Sequence, residues 1–187
     1  MNCECTLSNN TKKYLDKFYC ILDELIEGMT SAELTDSISD NFIVQMVPHH
    51  KAAIEMSENL LQYTTFVPLQ NIAEGIISEQ TKSIENMLAI QNRCSGLTNC
   101  CMDLNLYQRR VNQIMKTMFS RMGDARSTNN IDANFMCEMI PHHEGAIKMS
   151  HNALQFNICP ELKPILQAII ASQEKGVMQM KCLLNCM

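Results

Sequence analysis

Tryptophan is absent from the 187-residue chain, and aromatic residues make up only 5% of it. So few π-faces provide no stacking platform, and the 15 basic residues, outnumbered by 20 acidic ones, form no stripe. Nucleic acid is therefore not expected as a partner. No stretch reaches the roughly 18 consecutive apolar residues that a membrane-spanning helix requires, so no membrane partner is expected either. The opening residues, MNCECTLSNNTKKYLDKF, lack the basic segment, apolar run and small-residue cleavage site of an export signal. A cytoplasmic location follows as the expectation. No C-x-x-C pair occurs, which removes a zinc ribbon or a thioredoxin-like site, and the ten cysteines are expected mostly as reduced thiols. Alternating β-branched residues are also missing, so nothing supports a sheet.

What the chain does have is an internal repeat. Shifting it by 93 residues aligns it with itself without a gap. The segment from Asn41 to Gln62 then falls on Asn134 to Gln155, with 13 of 22 positions identical. The register holds outside this segment, pairing Tyr14 with Tyr107, Ile76 with Ile169, Gln80 with Gln173 and Met87 with Met180. The chain therefore reads as a single duplicated domain, residues 1–187, with repeats of about 1–93 and 94–187. No cysteine of one half falls on a cysteine of the other.

Each half is predicted to form three helices. Tyr14, Leu15, Phe18, Leu22, Leu25 and Met29 recur at helical spacing over about Lys12 to Gly28, matched by Leu104 to Met122. A second helix is expected from near Asp40 past Leu60, with Phe42, Met46, His49, Ala53, Met56 and Leu60 on one face. Asp40 and Asp132 are its candidate caps. Pro48 and Pro141 fall inside this pattern, where each deletes a backbone hydrogen bond; the unbroken apolar stripe favours a kink over a helix that starts at the proline. The third helix is expected from near Pro68, a good first-turn residue. Neither half can readily bury its apolar face alone. Packing the two hairpins together predicts an all-α fold: a four-helix bundle made by tandem duplication of a three-helix unit, with additional flanking helices.

Residues three, four, seven and ten apart on a helix lie near one line. Met46, His49 and Met56 meet this condition, as do Met139, His142 and Met149; His50 and His143 sit about 100° round, at the edge of the face. Each helix can thus offer imidazole nitrogen and thioether sulfur together. Such donors are soft to intermediate. Cu(I) suits them best, silver should behave similarly, and zinc or Cu(II) could use the imidazoles alone. Thioethers carry no charge, so a site built on them needs few neutralising groups in a low-dielectric bundle. Gln80 and Gln173 each put an amide on an otherwise apolar face and are candidates for orienting an imidazole. The plain alternative is that the methionines fill core gaps and the histidines only fix packing. His151 replaces Glu58 in the repeat and is expected to be exposed. Among the thiols, Cys182 and Cys186 are four apart on the expected last helix. Cys100 and Cys101 are adjacent in the linker near Cys94, and Cys3 and Cys5 form a C-x-C; each group could capture a soft metal.

The run F42-x-x-x-M46-x-P48-H49-H50-x-x-A53-I54-x-M56, repeated from Phe135 to Met149, resembles the signature of domain-of-unknown-function family 305. The stretches Ile76 to Met87 and Ile169 to Met180 resemble its companion motif. This resemblance implies a ferritin-like, mostly four-helical bundle, with some relatives linked to copper. Carried over by position, it points to Met46, His49, His50 and Met56, and to Met139, His142, His143 and Met149, as metal ligands. Two departures stand out. Relatives are often exported, and their second motif commonly has Glu after Q-x-x, where this chain has Ser83 and Gly176.

A di-iron enzyme would need inward carboxylates and Glu-x-x-His motifs, which the central helices lack, and Glu79 becomes Ser172 in the repeat. No nucleophile, base and orienting acid share a face. The sequence therefore favours a metal-ion partner, non-enzymatic copper buffering or sequestration and no organic cofactor, and it leaves self-association open. A metal-free structural or interaction bundle is the alternative, with a metal-dependent oxidoreductase last.

Overall fold

The computed structural model describes residues 6–186; Cys3 and Cys5 lie outside that range. It contains six helices: α1 (Asn9–Thr30), α2 (Ile38–Leu61), α3 (Val67–Cys94), α4 (Cys101–Gly123), α5 (Ile131–Ala153) and α6 (Leu162–Leu184). There is no strand among the described residues, and no helix is long and apolar enough to cross a membrane. The hairpins α2–α3 and α5–α6 pack through α2 against α5 and α3 against α6, while α1 covers α2 and α4 covers α5. This is the expected duplicated bundle with flanking helices.

The helix starts differ from expectation. Ser37 caps α2, its Oγ accepting from Asp40 N at 3.3 Å, and Asn130 caps α5, its Oδ1 accepting from Ala133 N at 3.0 Å. Asp40 and Asp132 instead sit in the first turn, where a carboxylate favours the positive end of the helix dipole. Ser37 and Asn130 are 93 apart, so the true caps obey the repeat and the two aspartates do not. Both helices run through Pro48 and Pro141 without a break. The missing N–H groups leave the carbonyls of Val44 and Cys137 without their helical donors. α1 approaches closely at this point: a Cβ on Gly28 would stand 2.9 Å from Pro48 Cβ.

The two halves are braced alike. Asn41 and Asn134 each bridge the N–H and C=O of a preceding threonine, Thr35 and Thr128. Asn59 and Asn152 donate to the carbonyls of Tyr14 and Tyr107, tying each flanking helix to its hairpin. Edge-to-face ring pairs, Tyr14 with Tyr63 and Tyr107 with Phe156, repeat the same register. These buried amides satisfy backbone groups that would otherwise be costly to bury.

Most of the described thiols are free, as expected, but one pair is not. Cys94 and Cys159 form a disulfide with Cα atoms 5.2 Å apart, joining the end of α3 to the loop before α6. Cys94 would pair with Met187 in the repeat and Cys159 with Phe66, so no periodic signal announces the bridge. Cys101 begins α4 rather than lying in the linker, and Cys186 lies beyond the end of α6. Closing a loop across a separation of 65 residues restricts the unfolded chain. Reduction is expected to lower stability by about 2–4 kcal/mol. Urea unfolding with and without dithiothreitol measures this, and Cys159→Ala should match the reduced protein. Equal midpoints would show that the pair contributes no constraint.

Candidate metal centre

The eight residues singled out by the repeat all lie in the interior. Met46, Met56, Met139 and Met149 belong to one continuous apolar core, and His49, His50, His142 and His143 are buried with them. α2 and α5 cross at the histidines. There His49 Nε2 meets the His142 carbonyl at 3.2 Å, and His142 Nε2 meets the His49 carbonyl at 3.0 Å. The ring centroids are 3.6 Å apart. A carbonyl only accepts, so each Nε2 carries the proton and each Nδ1 of this pair presents a bare lone pair. Neither Nδ1 has a hydrogen-bond partner.

The outer histidines are held differently. His50 Nε2 lies 3.0 Å from Ser83 Oγ on α3, whereas the ring of His143 packs against Gly176 on α6. The Nδ1 atoms of both are buried and unpartnered as well. Burial, more than any neighbouring charge, pushes all four histidines below their ordinary pKa, His50 to about 3 and His142 to about 4. All four are neutral near pH 7. Four neutral imidazoles, of which His49 and His142 present bare Nδ1 lone pairs, among thioethers, form a donor set that fits a soft metal ion.

Not every predicted role is seen. Gln80 and Gln173 are buried, but neither amide bonds to an imidazole; they face the crevice between α3 and α6. His151 is exposed, as its repeat partner suggested. The histidines also do not converge as one tight cluster. Among the described residues, the group of His, Cys, Asp or Glu whose ligand atoms lie within 4.8 Å of one another is Cys94, Cys159 and Glu161. Its two sulfurs are already joined in the disulfide.

A buried pair escaped the sequence reading. Tyr14 OH donates to Glu138 Oε2 at 2.6 Å, linking α1 of one half to α5 of the other. Burial raises the Glu138 carboxyl to about 7, partly opposed by the Tyr14 hydrogen bond. At the equivalent places stand Gln45 of the first half, whose amide points to the Met29 carbonyl, and Tyr107 of the second, whose hydroxyl has no partner. The Gln45/Glu138 mismatch inside a well-matched segment was the available signal.

A duplicated helical bundle with buried histidine–methionine faces is the class that this geometry defines. The family model of DUF305, a domain of unknown function, matches residues 23–91 and 39–184, and the chain belongs to that family. Three solved structures are similar. A DUF305 fragment from Deinococcus radiodurans shares the fold at 19% identity and a TM-score of 0.58, covering 80% of this chain and 97% of its own. CopM in an Ag-bound form matches at 29% identity, TM-score 0.58, covering 79% of this chain and 95% of its own. CopM in a Cu(II)-bound form matches at 26% identity, TM-score 0.57, with the same coverage of 79% and 95%. No curated protein sequence matches this one.

The neutral histidines make the metal-free protein acid-sensitive. Their folded pKa values lie below the unfolded value, so the unfolded chain binds protons first. Stability is fully present above about pH 6.5 and is lost as pH falls toward 4 for His142 and 3 for His50, at roughly 1.4 kcal/mol per pH unit for each histidine. A denaturant series should show this fall; flat stability from pH 7 to pH 5 would contradict it. Glu138 has the opposite sign. Its folded pKa is raised, so its contribution falls as pH rises from about 4.5 to about 7. Glu138→Gln keeps an acceptor for Tyr14 and should stabilise by up to roughly 3 kcal/mol at pH 8, with the gain shrinking toward pH 5. A gain of the same size at both pH values would rule out the buried titration.

Proposed function

We propose that the protein binds a soft transition-metal ion reversibly, Cu(I) above all, and buffers or sequesters it without catalysing a reaction. The observation that carries this reading is the set of four buried, neutral imidazoles whose Nδ1 atoms have no partner, set among buried methionine sulfurs. The similarity to CopM, solved in Ag-bound and Cu(II)-bound forms, supports a metal partner. Silver and zinc are the alternative ions.

The donors divide along each helix. His49 lies three residues from Met46 and seven from Met56, about 4.5 Å and 10 Å along the axis. Met46 and Met56 are about 15 Å apart on that measure, too far to share one ion. Met46 pairs with His49 and Met139 with His142, while Met56 and Met149 belong to a separate position. His50 and His143, turned toward α3 and α6, reach outward from the same helices.

A purely structural bundle is the competing reading. One observation favours it: Nε2 of His49 and His142 is satisfied by backbone without any ion. Anaerobic Cu(I), Ag(I) and Zn(II) titrations, with X-ray absorption to identify nitrogen and sulfur ligands, separate the two. Met46→Leu with Met139→Leu conserves core volume, so the fold should survive. Cu(I) affinity should drop at least tenfold, and the thioether contribution to the absorption spectrum should fall. Metal bound only by thiols, with imidazoles and thioethers untouched, would sink the proposal.

A further inference from the structure

Two cavities flank the packing of α3 against α6, one of 360 Å³ reached by His50 and one of 440 Å³ reached by His143. Both share Glu79, Gln80, Ser172 and Gln173 in their walls, and the 93-residue shift carries most of one lining onto the other. They are the same cavity made twice. Gln80 leaves both amide atoms without partners, and Gln173 leaves its carbonyl oxygen so.

The copies differ at several lining positions, and two of these differences bear on the histidines. In the first, Ser83 Oγ holds His50 Nε2 at 3.0 Å. In the second, the equivalent residue is Gly176, which has no side chain to bond His143 Nε2, and no hydrogen bond to that atom is found among the described residues. A Cβ at position 176 would lie 2.9 Å from His143 Cδ2 and 3.0 Å from Nε2, so the ring would have to shift to admit one. The second difference is in the lining. Exposed Cys182 borders the His143 cavity, where the first half has Ala89. Met178, four residues before Cys182 on the same helical face, is 66% exposed. Soft donors therefore run from solvent to the cavity that ends at an uncommitted imidazole, and only in the second half.

We propose that the His143 cavity is the entry port for a soft monovalent cation, with Cys182 capturing the ion and His143 Nε2 receiving it, while the Ser83 hydrogen bond keeps His50 Nε2 occupied. This rests on the metal-binding reading above and adds an order to it. The exchange is not a redox step. Capture replaces the Cys182 thiol proton with the metal, and transfer breaks the metal–sulfur bond, forms a metal–nitrogen bond and returns a proton to the thiolate. Thiolate and imidazole are both suited to d¹⁰ cations, which tolerate low coordination numbers during such hand-over.

The test follows the imidazole resonances of the full chain, labelled with ¹⁵N-histidine, as Ag(I) is added, with stopped-flow capture of Ag(I) alongside. His143 should respond before His50. Gly176→Ser should slow capture at least tenfold and abolish that order. Ser83→Gly, which adds no bulk and keeps the fold, should make His50 respond together with His143. Cys182→Ser should slow capture while leaving the final imidazole shifts unchanged. If all imidazoles respond together in the unaltered protein, or Ser83→Gly leaves His50 late, the entry port is refuted while metal binding stands. If no imidazole responds in any variant, the metal-binding reading falls and the port with it.

Discussion

The crossing of α2 and α5 depends on a pair of hydrogen bonds that each half makes to the other. His49 and His142 donate to one another's carbonyls across rings only 3.6 Å apart. The backbones must come close for an imidazole to reach a carbonyl on a neighbouring helix, and that separation fixes how the remaining layers stack. The bonds also decide chemistry. Because Nε2 must carry the proton, the lone pair is forced onto Nδ1, inside a core that offers it no donor. Burial then keeps the rings neutral, which is the state in which imidazole can bind a metal.

Everything else in the centre deviates from symmetry by single residues. Ser83 ties one outer histidine and Gly176 leaves the other free. Glu138 accepts from Tyr14, while its counterpart Gln45 turns to a backbone carbonyl. The disulfide joins the end of α3 to the loop before α6, at positions that are not cysteine in the other copy. The duplicated scaffold sets the positions, and these substitutions make the two halves chemically different within it.

The six helices and their buried faces were legible because identities at a constant offset and apolar residues at a period of 3.6 reinforce each other. The histidine–methionine residues were legible for the same reason. Other features depend on distance in space rather than on pattern. Tyr14 and Glu138 are 124 residues apart, and nothing local marks a buried acid when the helix around it is already apolar. Asp40 looked like a cap because it precedes the apolar run, but Ser37 and Asn130 hold that place, at positions the repeat itself relates. Gln80 was legible as buried. Its direction was not, because a face on a helical wheel does not say which neighbour lies across from it.

Joining the halves in one chain has a thermodynamic consequence. Two separate copies of a three-helix unit would meet in a bimolecular reaction, and their folded fraction would fall on dilution. They would also be identical, so a buried acid such as Glu138 or an opening such as Gly176 would appear twice. The short 95–100 connection between α3 and α4 makes assembly intramolecular and independent of concentration. It also allows one costly substitution to exist in a single copy, so that the desolvation of a carboxyl group is met once per molecule instead of twice.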